Sequence, residues 1–166
     1  MTNKRLSRLD QLMASNHLDA LVLNPGSTLT YLTGLHFHLM ERPTVFLYVR
    51  GSEPVLILPE LEAGKLSSAT TPIKPITFGD DPSEWVTQFS KAINDLKLKG
   101  VDLGVEPTHL RFLEMDLIQK TGANNRFVSA ENILADLRMQ KDEDEIGKMR
   151  KAVQIAQNAL RATIPS

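Results

Sequence analysis

The stretch YLTGLHFHLMERP, Tyr31 to Pro43, holds half of the chain's four histidines, with a glutamate and an arginine close behind them. His36, His38 and Glu41 stand in H-x-H-x-x-E spacing. On a strand the two imidazoles would share one face, as paired metal ligands do. A stable metal site asks for three or four ligands, and the other carboxylates nearby fall in no definite register. His36 and His38 therefore read as rim or surface residues before they read as ligands.

Other candidates are weaker. Ser27, in NPGSTLT, lacks the G-x-S-x-G elbow of an activated nucleophile, and its place ahead of a short helix suits a cap. The run KDEDE, Lys141 to Glu145, could pass for a carboxylate cluster, but at a helix start it reads as a solvated acidic patch favoured by the helix dipole. GSEP and GDDP read as turns, not phosphate loops. The absence of cysteine excludes thiolate catalysis, cysteine-ligated zinc and disulfides. No nucleophile, base and orienting group assemble, and no metal shell is complete, so the residues alone do not describe a self-sufficient enzyme.

The elements that must carry these residues alternate. A chain of 166 residues, 42% hydrophobic, suits one well-buried core. Leu6, Leu9, Leu12 and Met13 fall at helical spacing and predict an amphipathic helix over 3–15. LDALVLN predicts a buried strand ending at the Asn24-Pro25-Gly26 turn. Ser27 is then expected to cap a helix over TLTYLT, which Gly34 ends. TVFLYVR and VLILP, joined by GSEP, predict a β-hairpin. ELEAGKL reads as helical and leads over Thr71-Pro72 to the apolar run IKPITF.

Asp81-Pro82-Ser83-Glu84 opens a helix whose buried stripe is Trp85, Phe89, Ala92, Ile93 and Leu96, stopped by Gly100. VDLGVEP is a strand, THLRFLEMDLIQKTG a helix ended by Gly122, and RFVSA a last short strand. The expected fold class is α/β, a mixed sheet flanked by helices, forming a single domain over 1–135.

Residues 136–166 have a different character. Asp142 and Glu145 have capping-box spacing, and Ile146, Met149, Val153, Ala156, Leu160 and Ile164 recur at steps of three or four. The narrow apolar stripe so formed needs something to pack against, which marks the segment as a connector helix leading to a further domain.

The totals restrict the partners. A net charge of −1, from 19 basic and 20 acidic side chains, gives no field to attract nucleic acid or an anionic membrane, so neither is an expected partner. MTNKRLSRLDQLM lacks the apolar core of a secretion signal, and no apolar run approaches the roughly 18–20 residues of a membrane span. A soluble, cytoplasmic domain is the expectation.

The N-terminal helix, LDALVLN, NPGSTLTYLTGL and VFLYV…PVLILP resemble the amino-terminal domain of the creatinase and prolidase family. The closing LADLRMQKDEDEIGKMRKAVQIAQNAL resembles that family's hinge, with Arg138, Lys141, Glu145 and Ile146 in its Arg-x-x-Lys-x-x-x-Glu-Ile stretch. The resemblance covers almost the whole chain.

It implies a parent enzyme with a pita-bread catalytic domain holding two divalent metals, often manganese or cobalt. Their ligands (two aspartates, a histidine and two glutamates) would lie beyond Ser166, so the chain itself would hold no cofactor. The implied reaction is hydrolysis of the bond before proline, in peptides with proline in the second position, by an Xaa-Pro aminopeptidase or Xaa-Pro dipeptidase. A metal-bridging hydroxide would attack the carbonyl.

The resemblance also implies a homodimer in which this domain leans over the partner's active site. His36, His38 and Arg42 would then form a substrate rim, Arg42 holding a substrate carboxylate bidentately. The bland alternative makes all three solvated loop residues. Two other functions stay open: a creatinase-type amidinohydrolase, and a non-enzymatic protein-binding module such as the peptidase-like domains of a histone chaperone.

Overall fold

The computed structural model describes residues 4–163. Its centre is a six-stranded mixed sheet in the order β4-β3-β2-β1-β5-β6, built from β1 (Ala20–Leu23), β2 (Val45–Val49), β3 (Val55–Pro59), β4 (Lys74–Phe78), β5 (Asp102–Val105) and β6 (Arg126–Ser129). The expected hairpin is β2–β3, and β2 runs antiparallel to both its neighbours. The other adjacent pairs, β1–β5, β3–β4 and β5–β6, are parallel. Pro75, which cannot donate to a ladder, lies in the edge strand β4, where its missing N–H is tolerated.

Period-two alternation sorts the sheet into two cores. Leu21, Leu23, Phe46, Tyr48, Leu56 and Leu58 face α1 (Lys4–Ser15), α2 (Ser27–Thr33) and α5 (Glu131–Met139). Ala20, Val22, Val45, Leu47, Val55 and Ile57 face α3 (Trp85–Asp95) and α4 (Phe112–Lys120). Each fully buried leucine or phenylalanine contributes roughly 1.5–3 kcal/mol, so both faces are strongly held. ELEAGKL is a surface 3-10 helix over Glu60–Ser68 with no buried residue.

Several helix ends differ from the sequence expectation. Ser27 does not cap α2; it is the first helical residue and exposed, and Gly26 holds the cap position with no side-chain bond. A side chain at Gly26 would collide with the His109 ring, its Cβ 2.8 Å from Cδ2, so the position excludes a capping serine. Gly34 does end α2 in the left-handed conformation, φ 75°, donating its N–H to the Thr30 carbonyl at 2.8 Å.

Asp81 caps as expected, but the first turn is a 3-10 turn over Pro82–Glu84, and α3 follows. The Ser83 N–H donates to the Asp81 carboxylate at 2.8 Å and holds its pKa below the usual range. In α3, Phe89, Ala92 and Ile93 are buried while Trp85 and Leu96 are half-buried. Lys97 at φ 55°, not Gly100, turns the chain out of this helix. α4 begins at Phe112, later than Thr108, because residues 107–109 form a turn that closes on the Glu106 carbonyl and Arg111 is extended.

α6 (Glu143–Thr163) opens with the expected capping box. The Asp142 N–H donates to Glu145 Oε2 at 3.0 Å, and the Glu145 N–H donates to Asp142 Oδ1 at 2.8 Å. None of its described residues is buried, and Met149, Val153, Ile155 and Leu160 are exposed. Ile164, the last member of the expected stripe, lies outside the described residues.

Candidate functional site

Between α2 and β2, residues 34–44 form neither helix nor strand, so strand alternation does not apply to His36 and His38. Phe37 is half-buried against the core, with the Lys65 ammonium 5.2 Å above its ring, and the two histidines on either side of it are exposed. His38 and Arg42 line a cleft of about 170 Å³ with Phe37, Met40, Leu61 and Glu62; His36 stands outside it. The structure thus brings two of the three expected rim residues together.

Arg42 is already paired. Its Nη2 lies 2.9 Å from Asp80 Oδ1, in the GDDP turn that follows β4. The apolar part of the cleft wall comes from Leu61 and Met40, both exposed, so the site combines a cation with a hydrophobic surface. Sequence reasoning missed Asp80, whose turn residues gave no hint of a partner thirty-eight positions earlier. It also missed Arg111, which donates to the Met40 carbonyl.

Among the described residues, no group of three or more His, Asp or Glu side chains gathers where a metal ion could sit. The acids of KDEDE are mostly exposed, with Asp144 paired to Lys148 four residues on. Among the described residues no helix is long and apolar enough to cross a membrane.

A buried polar cluster lies at the carboxyl ends of β1 and β5. Thr28 Oγ1 donates to Glu106 Oε1 at 3.0 Å, and Arg138 Nη1 approaches Thr28 Oγ1 at 3.3 Å and the same carboxylate at 4.0 Å. His109 Nδ1 is 3.8 Å from Glu106 Oε1. Arg138 opens the Arg-x-x-Lys-x-x-x-Glu-Ile stretch, and this cluster fixes the end of α5 that leads towards α6.

The rest of that stretch holds the link between α5 and α6. Lys141 donates to the carbonyls of Arg138 and Met139, the latter at 3.2 Å. Glu145 adds to its capping role a 3.2 Å ion pair with Arg5, whose guanidinium also stacks on Tyr31 at 4.2 Å. One glutamate therefore starts α6 and ties that start to α1.

A separate cleft of about 270 Å³ includes Leu6, Asp10, Tyr48 and Pro72. Tyr48 donates its hydroxyl to Asp10 Oδ1 at 2.7 Å, and the Gly51 N–H donates to the same oxygen at 3.0 Å. Burial, and then the bond to Asp10, push the Tyr48 pKa well above the ordinary phenol value.

The model of the creatinase/prolidase N-terminal domain matches residues 5–140. The chain is 24% identical over 152 residues to a putative dipeptidase, YkvY, of Bacillus subtilis (strain 168), covering 92% of this chain and 42% of that protein. It is also 24% identical over 165 residues to an Xaa-Pro dipeptidase of Pyrococcus horikoshii, covering 98% and 42%. The chain thus spans less than half the length of these relatives. A crystal structure of a dipeptidase from Pyrococcus horikoshii OT3 superposes with a TM-score of 0.82 at 23% identity, over 95% of this chain and 43% of the other. Since the family model matches most of its length, the chain belongs to the creatinase/prolidase N-terminal domain family.

Proposed function

We propose that this chain is the non-catalytic amino-terminal part of a proline-specific metallopeptidase, an Xaa-Pro dipeptidase or Xaa-Pro aminopeptidase. The observation that carries this reading is the similarity to an Xaa-Pro dipeptidase over 98% of the chain but only 42% of that protein. Residues 1–135 form the amino-terminal domain, and 136–166 are the hinge and first helix of a catalytic domain. That domain supplies two divalent metal ions, manganese or cobalt, and the hydrolysis of peptides with proline in the second position. The amino-terminal domain supports a cytoplasmic homodimer and controls access to the active site.

Within this reading the cleft beside His38 and Arg42 is the substrate rim, with His36 at its outer edge. Arg42 is the residue suited to a substrate carboxylate, because guanidinium binds carboxylates bidentately. Its present partner Asp80 is exposed, and an ion pair in that setting is weak, so a substrate carboxylate can compete for Arg42 at small cost.

The test compares this chain with the longer protein encoded by the same gene, both supplied with excess manganese. Turnover of an Xaa-Pro dipeptide by the 166-residue chain overturns the non-catalytic assignment. Failure of the longer protein to cleave either an Xaa-Pro dipeptide or a longer Xaa-Pro peptide overturns the peptidase assignment. Hydrolysis of creatine instead favours the amidinohydrolase.

A further inference from the structure

The segment carrying His36, His38 and Arg42 is held in an uncommon way. Among the described residues, no backbone–backbone hydrogen bond outside the helices and strands involves residues 36–43. Backbone groups normally find partners, and a surface segment without them is free to move unless side chains hold it. Here side chains do. Phe37 packs on the core, and beyond it there are two polar ties: Arg42 reaches Asp80 on one flank, and on the other the Met40 carbonyl accepts from Arg111 Nη1, 71 residues further along the chain.

The two ties are not equivalent. Asp80 is 77% exposed, and an ion pair in that setting is easily broken. Arg111 is anchored on Glu114, a carboxylate in the first turn of α4 that is fully buried. Arg111 Nε lies 3.0 and 3.1 Å from the two carboxylate oxygens, and Nη2 also donates to Oε1. A buried carboxylate without a partner is strongly unfavourable, so Glu114 fixes both the position and the plane of the guanidinium. The fork has an edge to spare, and that edge points at Met40.

The extended backbone of Arg111, φ −88° and ψ 161°, is what lays its side chain across the first turn of α4. Had α4 begun at Thr108, as the sequence suggested, Arg111 would lie inside the helix.

We propose that Arg111 is a positioning residue: anchored on buried Glu114, it holds the Met40 carbonyl and so sets where His38 and Arg42 stand beside the cleft. Its value for substrate binding rests on the rim reading above; its hold on the segment does not. Lysine cannot replace it. An ammonium can neutralise Glu114, but it lacks the flat fork that reaches carboxylate and carbonyl together.

The experiment is 15N relaxation on this chain and on Arg111→Lys, with residues 45–49 as an internal control. In the unaltered protein, order parameters at residues 38–42 should lie near 0.85, and in the lysine variant they should fall below about 0.6 while β2 stays rigid. Unchanged order parameters in a folded variant overturn the proposal. Should the variant not fold, the unaltered protein decides: order parameters near 0.85 at residues 39–41 support the hold on the Met40 carbonyl, and values below about 0.6 there overturn it. In the longer enzyme, Arg111→Lys should raise KM about 5- to 50-fold with kcat within about twofold. A mobilised segment with unchanged KM leaves the positioning role intact and removes the rim assignment.

Discussion

Arg42 and Asp80 meet at 2.9 Å, an ion pair that joins the segment after α2 to the turn after β4 and holds the guanidinium at the mouth of a cleft. If Arg42 receives a substrate carboxylate, Arg42→Ala in the proposed parent peptidase removes a charge-assisted contact contributing about 1–3 kcal/mol, a rise in KM of about 5- to 150-fold. Bound metal and kcat should not change. Asp80→Ala should lower KM, because the guanidinium no longer has a competing partner. His36→Ala and His38→Ala, assayed for metal content, separate rim from ligand: stoichiometric loss of metal in either variant would make the H-x-H-x-x-E stretch a ligand set.

The sheet was legible because its strands bury alternate residues on two faces, as in ALVL and VLILP, and because turn residues separate them. The capping box at Asp142 and Glu145 was legible for a local reason, since both partners lie within one turn. The end misread at Gly26 involves long-range packing, because the His109 ring stands where a serine side chain would go. α4 starts late because residues 107–109 turn onto the Glu106 carbonyl and leave Arg111 extended, where its side chain meets Glu114 and, 71 residues away in sequence, Met40. Spacing cannot show such contacts. The Arg42–Asp80 and Arg111–Met40 ties of the candidate site were hidden in the same way, while the cluster of polar residue types in YLTGLHFHLMERP was plain.

Glu106 should matter more to stability than its neighbours in sequence suggest. Its buried carboxylate accepts from Thr28 and faces Arg138 and His109, linking α2, β5 and the end of α5. Glu106→Ala leaves the Thr28 hydroxyl without its acceptor and should cost about 1–3 kcal/mol. For a domain of this size that is a fall in Tm of roughly 2–12 °C. Glu106→Gln keeps an acceptor for Thr28 and should cost less than the alanine variant. Equal melting temperatures for both variants and the unaltered protein would show that the cluster contributes nothing.

Tyr48 supplies a pH signature. Its folded pKa is raised above the unfolded value, first by burial and then by the bond to Asp10. A raised pKa means the folded state binds the proton more tightly. The resulting stability is fully present below the unfolded phenol value of about 10 and is lost as pH rises beyond it. Urea unfolding at pH values from about 8 to 11 should therefore show a steeper alkaline decline in the unaltered protein than in Tyr48→Phe. The variant should also lose about 1 kcal/mol near neutrality, where the bond to Asp10 is intact. Parallel pH curves would contradict the assignment.

α6 should be the least protected regular element of this chain in isolation. Its start is well made: the capping box is reciprocal, Arg5 ties Glu145 to α1, and acids occupy the first turn. Beyond that start none of its described residues is buried, and Met149 and Val153 stand exposed on the stripe read from the sequence. A cap contributes about 1 kcal/mol, too little to hold a helix that packs on nothing, because helices without tertiary contacts are marginal in water. Hydrogen exchange should therefore run through residues 153–163 well before the strand Asp102–Val105, which is paired on both sides in the sheet. Glu145→Ala should speed exchange further in the first turns, where both the cap and the Arg5 tie are lost. Equal protection of helix and strand in a dilute monomer would refute the expectation. Protection that grows with protein concentration would show instead that the exposed stripe pairs with a second copy of the chain.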